Sequence, residues 1–182
     1  MKRIVVFALS IIAIVACNDV PKGACVIDGR VDYPEYQKVY LVDLSGNQLD
    51  SAIRMNDGCF SFVYDDLMPR VVVMEFRNEF SVSDVLYLPV ALEPGKVNVA
   101  ISEHIRLSGT PLNNAIKVFF DEMQTLVDGF AEISTVEAQK NAYSAFYLRK
   151  MQENEDNPFG AYLKLAYMNE LTHEDLQELL KN

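Results

Sequence analysis

Few side chains in this sequence are of types that do chemistry on their own, and their spacing narrows the field further. The cysteines are Cys17, Cys25 and Cys59, and the histidines are His104 and His173. No Cys-x-x-Cys, His-x-x-x-His or Gly-x-Ser-x-Gly occurs, so the residues spell out no redox pair, helical metal site or nucleophile elbow. His104, in a loop ahead of a short strand, and His173, in the first turn of a helix, suit solvated or helix-capping roles better than base catalysis. Carboxylates cluster at Asp65-Asp66, Asp121-Glu122 and Glu153-Glu155-Asp156. The last cluster, with Asn154 and Asn157, offers oxygen ligands. It has neither the glycine nor the spaced acids of a calcium loop, and reads as a solvated turn whose Asn157 caps the next helix. No catalytic, cofactor-binding or metal-binding residue is assigned, and the expectation is a protein that is not an enzyme, with no cofactor and no metal.

Cys17 is the cysteine with a clear chemical context. Lys2 and Arg3 precede an apolar run from Ile4 to Ala16 broken only by Ser10, and the polar Asn18-Asp19 follows the cysteine. That run is shorter than the roughly 17–25 residues of a membrane-spanning helix and has the charged start of an export signal. Its end, Ile14-Val15-Ala16-Cys17, resembles the bacterial lipoprotein box. The resemblance implies that the Cys17 thiol is alkylated with diacylglycerol, that residues 1–16 are cut away as a signal peptide, and that the new amine is acylated. Each buried methylene contributes about 0.8 kcal/mol, so two or three chains hold a protein on a bilayer almost permanently. The expected location is the cell envelope, anchored in the inner or outer membrane and facing the periplasm or the surface. A single acid after the cysteine, Asp19, is a weaker signal than the acid-rich stretch associated with surface export.

The elements that would position these residues follow from composition and periodicity. Of 182 residues half are hydrophobic and 23% charged, which excludes wholesale disorder. With 26 acids against 16 Lys and Arg, the net charge of −10 repels a phosphate backbone, so no nucleic-acid partner is expected. From Pro21 to about Ser108, β-branched and aromatic runs alternate with Gly, Pro, Asn and Asp clusters, the pattern of short strands. Cys25 to Val31, Lys38 to Asp43, Asp50 to Met55, Cys59 to Tyr64, Arg70 to Phe76, Val85 to Leu92 and Lys96 to Ile101 are predicted strands, and a last one runs through Ile105 and Leu107. Asn56-Asp57-Gly58 predicts a hairpin between the third and fourth, and Glu93-Pro94-Gly95-Lys96 a type II turn.

The texture changes at Gly109. Thr110-Pro111 predicts a helix start, and Leu112, Ile116, Phe119, Met123, Leu126 and Phe130 recur at helical spacing. Further helices are predicted from about Thr135 to Asn154, from Asn157-Pro158 through Met168, and from a cap at Thr172 to Leu180. The fold class expected is an all-β antiparallel sandwich of seven or eight strands over residues 17–108, followed by an α-helical subdomain of about four helices over 109–182. The aromatics of the helices should mostly cover a sheet face, with Phe120, off the main stripe, a candidate for an exposed patch that meets a partner protein. Cys25 falls on the inward face with Ile27 and Val31, whereas Phe60 and Phe62 take the inward positions beside Cys59. Strand parity therefore argues against a Cys25–Cys59 disulfide and leaves Cys59 exposed, with no base or resolving cysteine beside it.

Several separated segments carry a resemblance in order along the chain. Val39-Tyr40-Leu41-Val42-Asp43-Leu44, Asp50-Ser51-Ala52, Asp57-Gly58-Cys59-Phe60-Ser61-Phe62, Leu88-Pro89-Val90-Ala91-Leu92-Glu93-Pro94-Gly95 and Leu107-Ser108-Gly109-Thr110-Pro111-Leu112-Asn113 resemble the domain of unknown function numbered 4369, known from lipoproteins of Bacteroides and its relatives. Asp156-Asn157-Pro158-Phe159-Gly160 agrees with it in the helical part. In many relatives that domain precedes a thioredoxin-like domain of the peroxiredoxin type, whose Cys-x-x-Cys pair is missing from this sequence. The resemblance implies a lipid-anchored, non-catalytic binding or interaction module that meets an envelope protein. The alternative is the N-terminal part of a thiol–disulfide oxidoreductase or peroxide-reducing lipoprotein. A module that binds carbohydrate or peptide is a third reading, for which the sequence marks no site.

Overall fold

Inward-facing Cys25, Ile27 and Val31 alternate with more exposed neighbours along the first strand, and the same period-two pattern recurs through the first half of the chain. The computed structural model describes residues 20, 22–50, 53–54, 57–65, 68–132 and 135–181. The strands are β1 (Cys25–Val31), β2 (Tyr36–Val42), β3 (Ile53–Arg54), β4 (Cys59–Tyr64), β5 (Arg70–Asn78), β6 (Ser81–Leu92), β7 (Gly95–Ile101) and β8 (Ile105–Ser108). The helices are α1 (Pro111–Asp128), α2 (Val136–Glu153), α3 (Pro158–Tyr167) and α4 (His173–Leu179). The strands make two mostly antiparallel sheets, ordered β4-β1-β7-β8 and β3-β2-β5-β6. With the four helices they form a mixed fold of sheets and helices. No helix among the described residues is long and apolar enough to cross a membrane. Cys17 and the expected leader before it lie outside the described residues, as do Asp66 and half of the predicted third strand, Ser51, Ala52 and Met55.

Two expectations are corrected. The first is the hairpin around Asn56-Asp57-Gly58: β3 pairs with β2 in one sheet and β4 with β1 in the other. The turn itself is present, since Asp57 and Gly58 have φ of 50° and 77°. It carries the chain between layers, and the Gly58 carbonyl accepts from the Val31 amide at 2.8 Å. A Cβ at Gly58 would lie 2.3 Å from the Val31 carbonyl oxygen, so packing as well as φ requires glycine there. The second is uniform antiparallel pairing: β7 runs parallel to β1. Its cause is the Glu93-Pro94 link, which crosses from one sheet to the other and delivers Gly95 (φ 135°) to the start of β1, where its amide donates to Ala24.

One buried cluster joins both sheets and the helices, running from Cys25, Ile27 and Phe62 through Val39, Met74 and Leu88 to Ile116, Phe119 and Leu163. Phe60 of one sheet meets Phe76 of the other edge to face, with ring centroids 5.6 Å apart. Gly29, opposite Phe60 in register, leaves the space that this ring occupies. Cys25 and Cys59 are both free, buried and exposed respectively. They sit at opposite ends of β1, with Cys25 paired to Tyr64 and Cys59 paired to Arg30. Burial pushes the Cys25 thiol up, so it is an inert core residue.

Helix α1 starts at Thr110 as the Thr-Pro signal indicates, but the threonine hydroxyl does not cap it. The Glu93 carboxylate accepts from the Leu112 amide at 2.7 Å, and the Thr110 hydroxyl accepts from Asn113 at 2.8 Å. Asn113, fully buried, turns its amide to the edge strand β6. Its Oδ1 accepts from the Ala91 amide at 2.9 Å, and its Nδ2 donates to the Ala91 carbonyl at 2.8 Å. One side chain thus imitates the next strand of the sheet. In α2, Lys150 is 5% exposed and donates to Glu122 at 2.9 Å and Glu153 at 2.7 Å, tying α2 to α1. Ser144, also buried, donates to Asp175 and accepts from the Thr172 amide, which fixes the start of α4.

Candidate functional site

Parity along β2, β5 and β6 sends Val39, Leu41, Met74, Phe76 and Leu88 into the core and their neighbours to the opposite face. Register then assembles those neighbours into rows. Lys38 lies opposite Arg77, and Arg77 opposite Val85; in the next row Tyr40 lies opposite Glu75, and Glu75 opposite Tyr87. Further along the same face come Val42, Val73 and Pro89, and then Val71 and Ala91. At that end the face is covered: Val42, Val71, Pro89 and Ala91 are buried, and α1 and α3 pack on β6 and β5. The cover stops at the row of Tyr40 and Tyr87. What remains open is a cavity of about 760 Å³ above β2, β5 and β6, within the size range of small-molecule sites.

Its polar groups are arranged in balanced pairs. Arg77 donates through Nε to Glu75 at 2.8 Å and lays its guanidinium over the Tyr40 ring, 4.4 Å from the centroid. Lys38 pairs with Glu79 at 2.8 Å. The wall is built by the β5–β6 turn, where Asn78 pairs with Ser81 across Glu79-Phe80 while Arg77 pairs with Val85. The residues of β6 left over, Val82 to Asp84, form a bulge. Asp84 is fixed in it by Tyr36 and Asn78, each donating at 2.9 Å, and these bonds hold its carboxyl below the usual range. The bulge and turn leave Phe80 85% and Val82 96% exposed, and Tyr87 is 60% exposed on the cavity floor. Three large apolar side chains beside one cavity form a patch that the fold itself does not use.

Sequence reasoning missed this site because its residues belong to three strands and none is a motif residue. The alternation of Lys38 and Tyr40 with Val39 and Leu41, and of Glu75 and Arg77 with Met74 and Phe76, was the signal available. It shows that these side chains face outward but not that they meet.

The residues singled out from the sequence are not brought together. His104 is exposed between β7 and β8, and His173 is exposed at the start of α4 with a ring nitrogen 2.9 Å from the Gln177 amide. Glu122 and Glu153 are ion-paired to Lys150 and Arg149. Asn157 caps α3, accepting from the Phe159 and Gly160 amides. Among the described residues no group of three or more His, Cys, Asp or Glu could hold a metal ion. The exposed-patch expectation for Phe120 is corrected: its ring is half-buried, meets the Phe119 ring edge to face at 5.5 Å between centroids, and packs against the core. The helical aromatics form a stack instead, Tyr143 on Tyr147 on Tyr167, with centroids 5.9 and 4.4 Å apart. Burial pushes the Tyr147 phenol up to about 12 and raises Tyr162 and Tyr167 as well, so these groups stay neutral.

No family model, curated protein or solved structure matches this chain.

Proposed function

We propose that the chain is a non-catalytic binding module, and that its binding surface is the open half of the β2-β5-β6 face. The observation that carries this reading is the division of that face. The helices bury its apolar end, and the same face ends in a 760 Å³ cavity beside Phe80, Val82 and Tyr87. The two most exposed large apolar side chains among the described residues, Val82 and Phe80, lie there. In this reading the two sheets form a β-sandwich with the helices docked across one end, and the fold is of the kind that precedes thioredoxin-like domains. The alternative, the N-terminal part of a thiol–disulfide oxidoreductase, finds less support, because the described cysteines are one buried core residue and one exposed thiol on opposite faces.

The module is lipid-anchored through Cys17 in the cell envelope. The lipoprotein-box residues Ile14-Val15-Ala16-Cys17 support this. Cells fed labelled palmitate are expected to label the parent chain and not Cys17→Ser, which should also leave the membrane fraction. Labelling of the variant would overturn the anchor. The binding surface is tested by footprinting the chain in native membranes against the purified chain, with protection of the β2-β5-β6 face as the expected result.

A further inference from the structure

The geometry points to a neutral saccharide as the ligand of this face, an inference that rests on the binding role proposed above. Three observations select it. The first is charge balance. Arg77 is held by Glu75 and Lys38 by Glu79, so each cation at the floor and wall of the cavity already has a carboxylate within 3 Å. An anionic ligand would have to displace a carboxylate and a cationic one an arginine or lysine. A neutral ligand rich in hydroxyls can instead bridge the pairs, donating to the carboxylates and accepting from the guanidinium and ammonium, without leaving any charge unpaired.

The second observation is the shape of the apolar surface. Tyr87 lies 60% exposed on the sheet face, and Tyr40, two strands away across Glu75, is capped by the Arg77 guanidinium. A pyranose ring presents a face of C–H bonds with hydroxyls around its rim. Set on Tyr87, it places that face on the aromatic ring and its rim against Glu75 and Arg77, which flank Tyr87 across β5.

The third is that the β6 edge of the sheet is closed to the chief competitor, an extended peptide. Ala91 turns its amide and carbonyl away from β5, and both are taken by Asn113. Period two places Pro89, Tyr87 and Val85 in the same outward position, and Pro89 has no amide to donate. Beyond Val85 the bulge of Val82 to Asp84 breaks the register. Only the short stretch from Val85 to Tyr87 could pair with an added strand, too little for recognition through main-chain bonds. On the β6 side a ligand therefore comes onto the face.

The test is calorimetric titration of the purified full chain with maltohexaose, cellohexaose, xylohexaose and mannohexaose. Hexagalacturonate and an extended Val-Thr decapeptide serve as the anionic and peptide arms. At least one neutral hexasaccharide is expected to bind. Tyr87→Ala should weaken it by about tenfold while Tyr87→Phe binds as the parent does, and both variants should keep the parent's denaturation midpoint. Binding confined to the galacturonate or the peptide, or neutral-saccharide binding indifferent to Tyr87→Ala, would overturn the inference. Absence of saccharide binding by a chain whose face is protected in native membranes would overturn the saccharide alone, whereas an unprotected face would overturn the binding surface itself.

Discussion

Asn113→Ala is expected to destabilise the fold by about 3–5 kcal/mol in urea denaturation. Strand β6 ends its sheet, and an edge strand has one row of backbone groups without partners. At Ala91 that row is buried under α1, where water cannot reach it, and Asn113 supplies both a donor and an acceptor at 2.8–2.9 Å. Truncation leaves a buried amide and a buried carbonyl unpaired, each costing about 1–3 kcal/mol, and removes the Thr110 hydroxyl's partner as well. Position alone would suggest otherwise, since loss of a small polar residue from a helix start is ordinarily mild. A loss under about 1 kcal/mol would show that the Ala91 groups find other partners and that the edge is not sealed in this way.

Phe119→Ala should cost a similar amount, about 3–5 kcal/mol, for a different reason. Phe119 is 1% exposed, and its ring lies within 5.4–6.5 Å, centroid to centroid, of Phe120, Phe146, Tyr147, Phe159 and Tyr167. Those five rings come from α1, α2 and α3, so the void left by truncation lies where three helices converge and cannot collapse without moving all of them. Phe80→Ala provides the internal comparison. The side chain is 85% exposed, and its removal should change stability by less than about 0.5 kcal/mol. Similar losses from the two substitutions would mean that Phe80 serves the fold and not a ligand.

Much of the architecture was legible because its signals are local. The inward parity of Cys25, Ile27 and Val31, the outward parity of Cys59, the start of α1 at Thr110-Pro111 and the Asn157 cap all depend on a few adjacent residues, and all are present. What was not legible depends on which strand meets which. Asp57-Gly58 announces a turn with positive φ, and that turn forms, but nothing in the dipeptide states that the chain leaves one sheet for another. The Glu93-Pro94 link poses the same problem, and the parallel pairing of β1 with β7 follows from it. The Glu93 cap on Leu112 and the Asn113 bridge to Ala91 were hidden because each joins residues about twenty positions apart.

The candidate site was hidden by the same non-locality. Tyr40, Glu75 and Tyr87 are unremarkable in their own segments, and they become a row only through two registers at once. Several residues with conspicuous chemistry, His173, Asp121, Glu122 and Glu153, are held in structural pairs instead. Lys150 illustrates the point: a buried ammonium held by two glutamates fastens two helices, and removal of one partner would leave its charge less compensated.

Hydroxyl-radical footprinting of the chain in its native membranes, compared with the same chain purified, tests the central claim most directly. Phe80, Val82 and Tyr87 on the open face are read against Val136 at the start of α2 and Leu180 just after α4, which are 82% and 72% exposed. The result expected is reduced labelling of the three face residues in membranes, with Val136 and Leu180 labelled alike in both samples. Equal labelling of Phe80, Val82 and Tyr87 in the two samples would contradict a binding role for the β2-β5-β6 face.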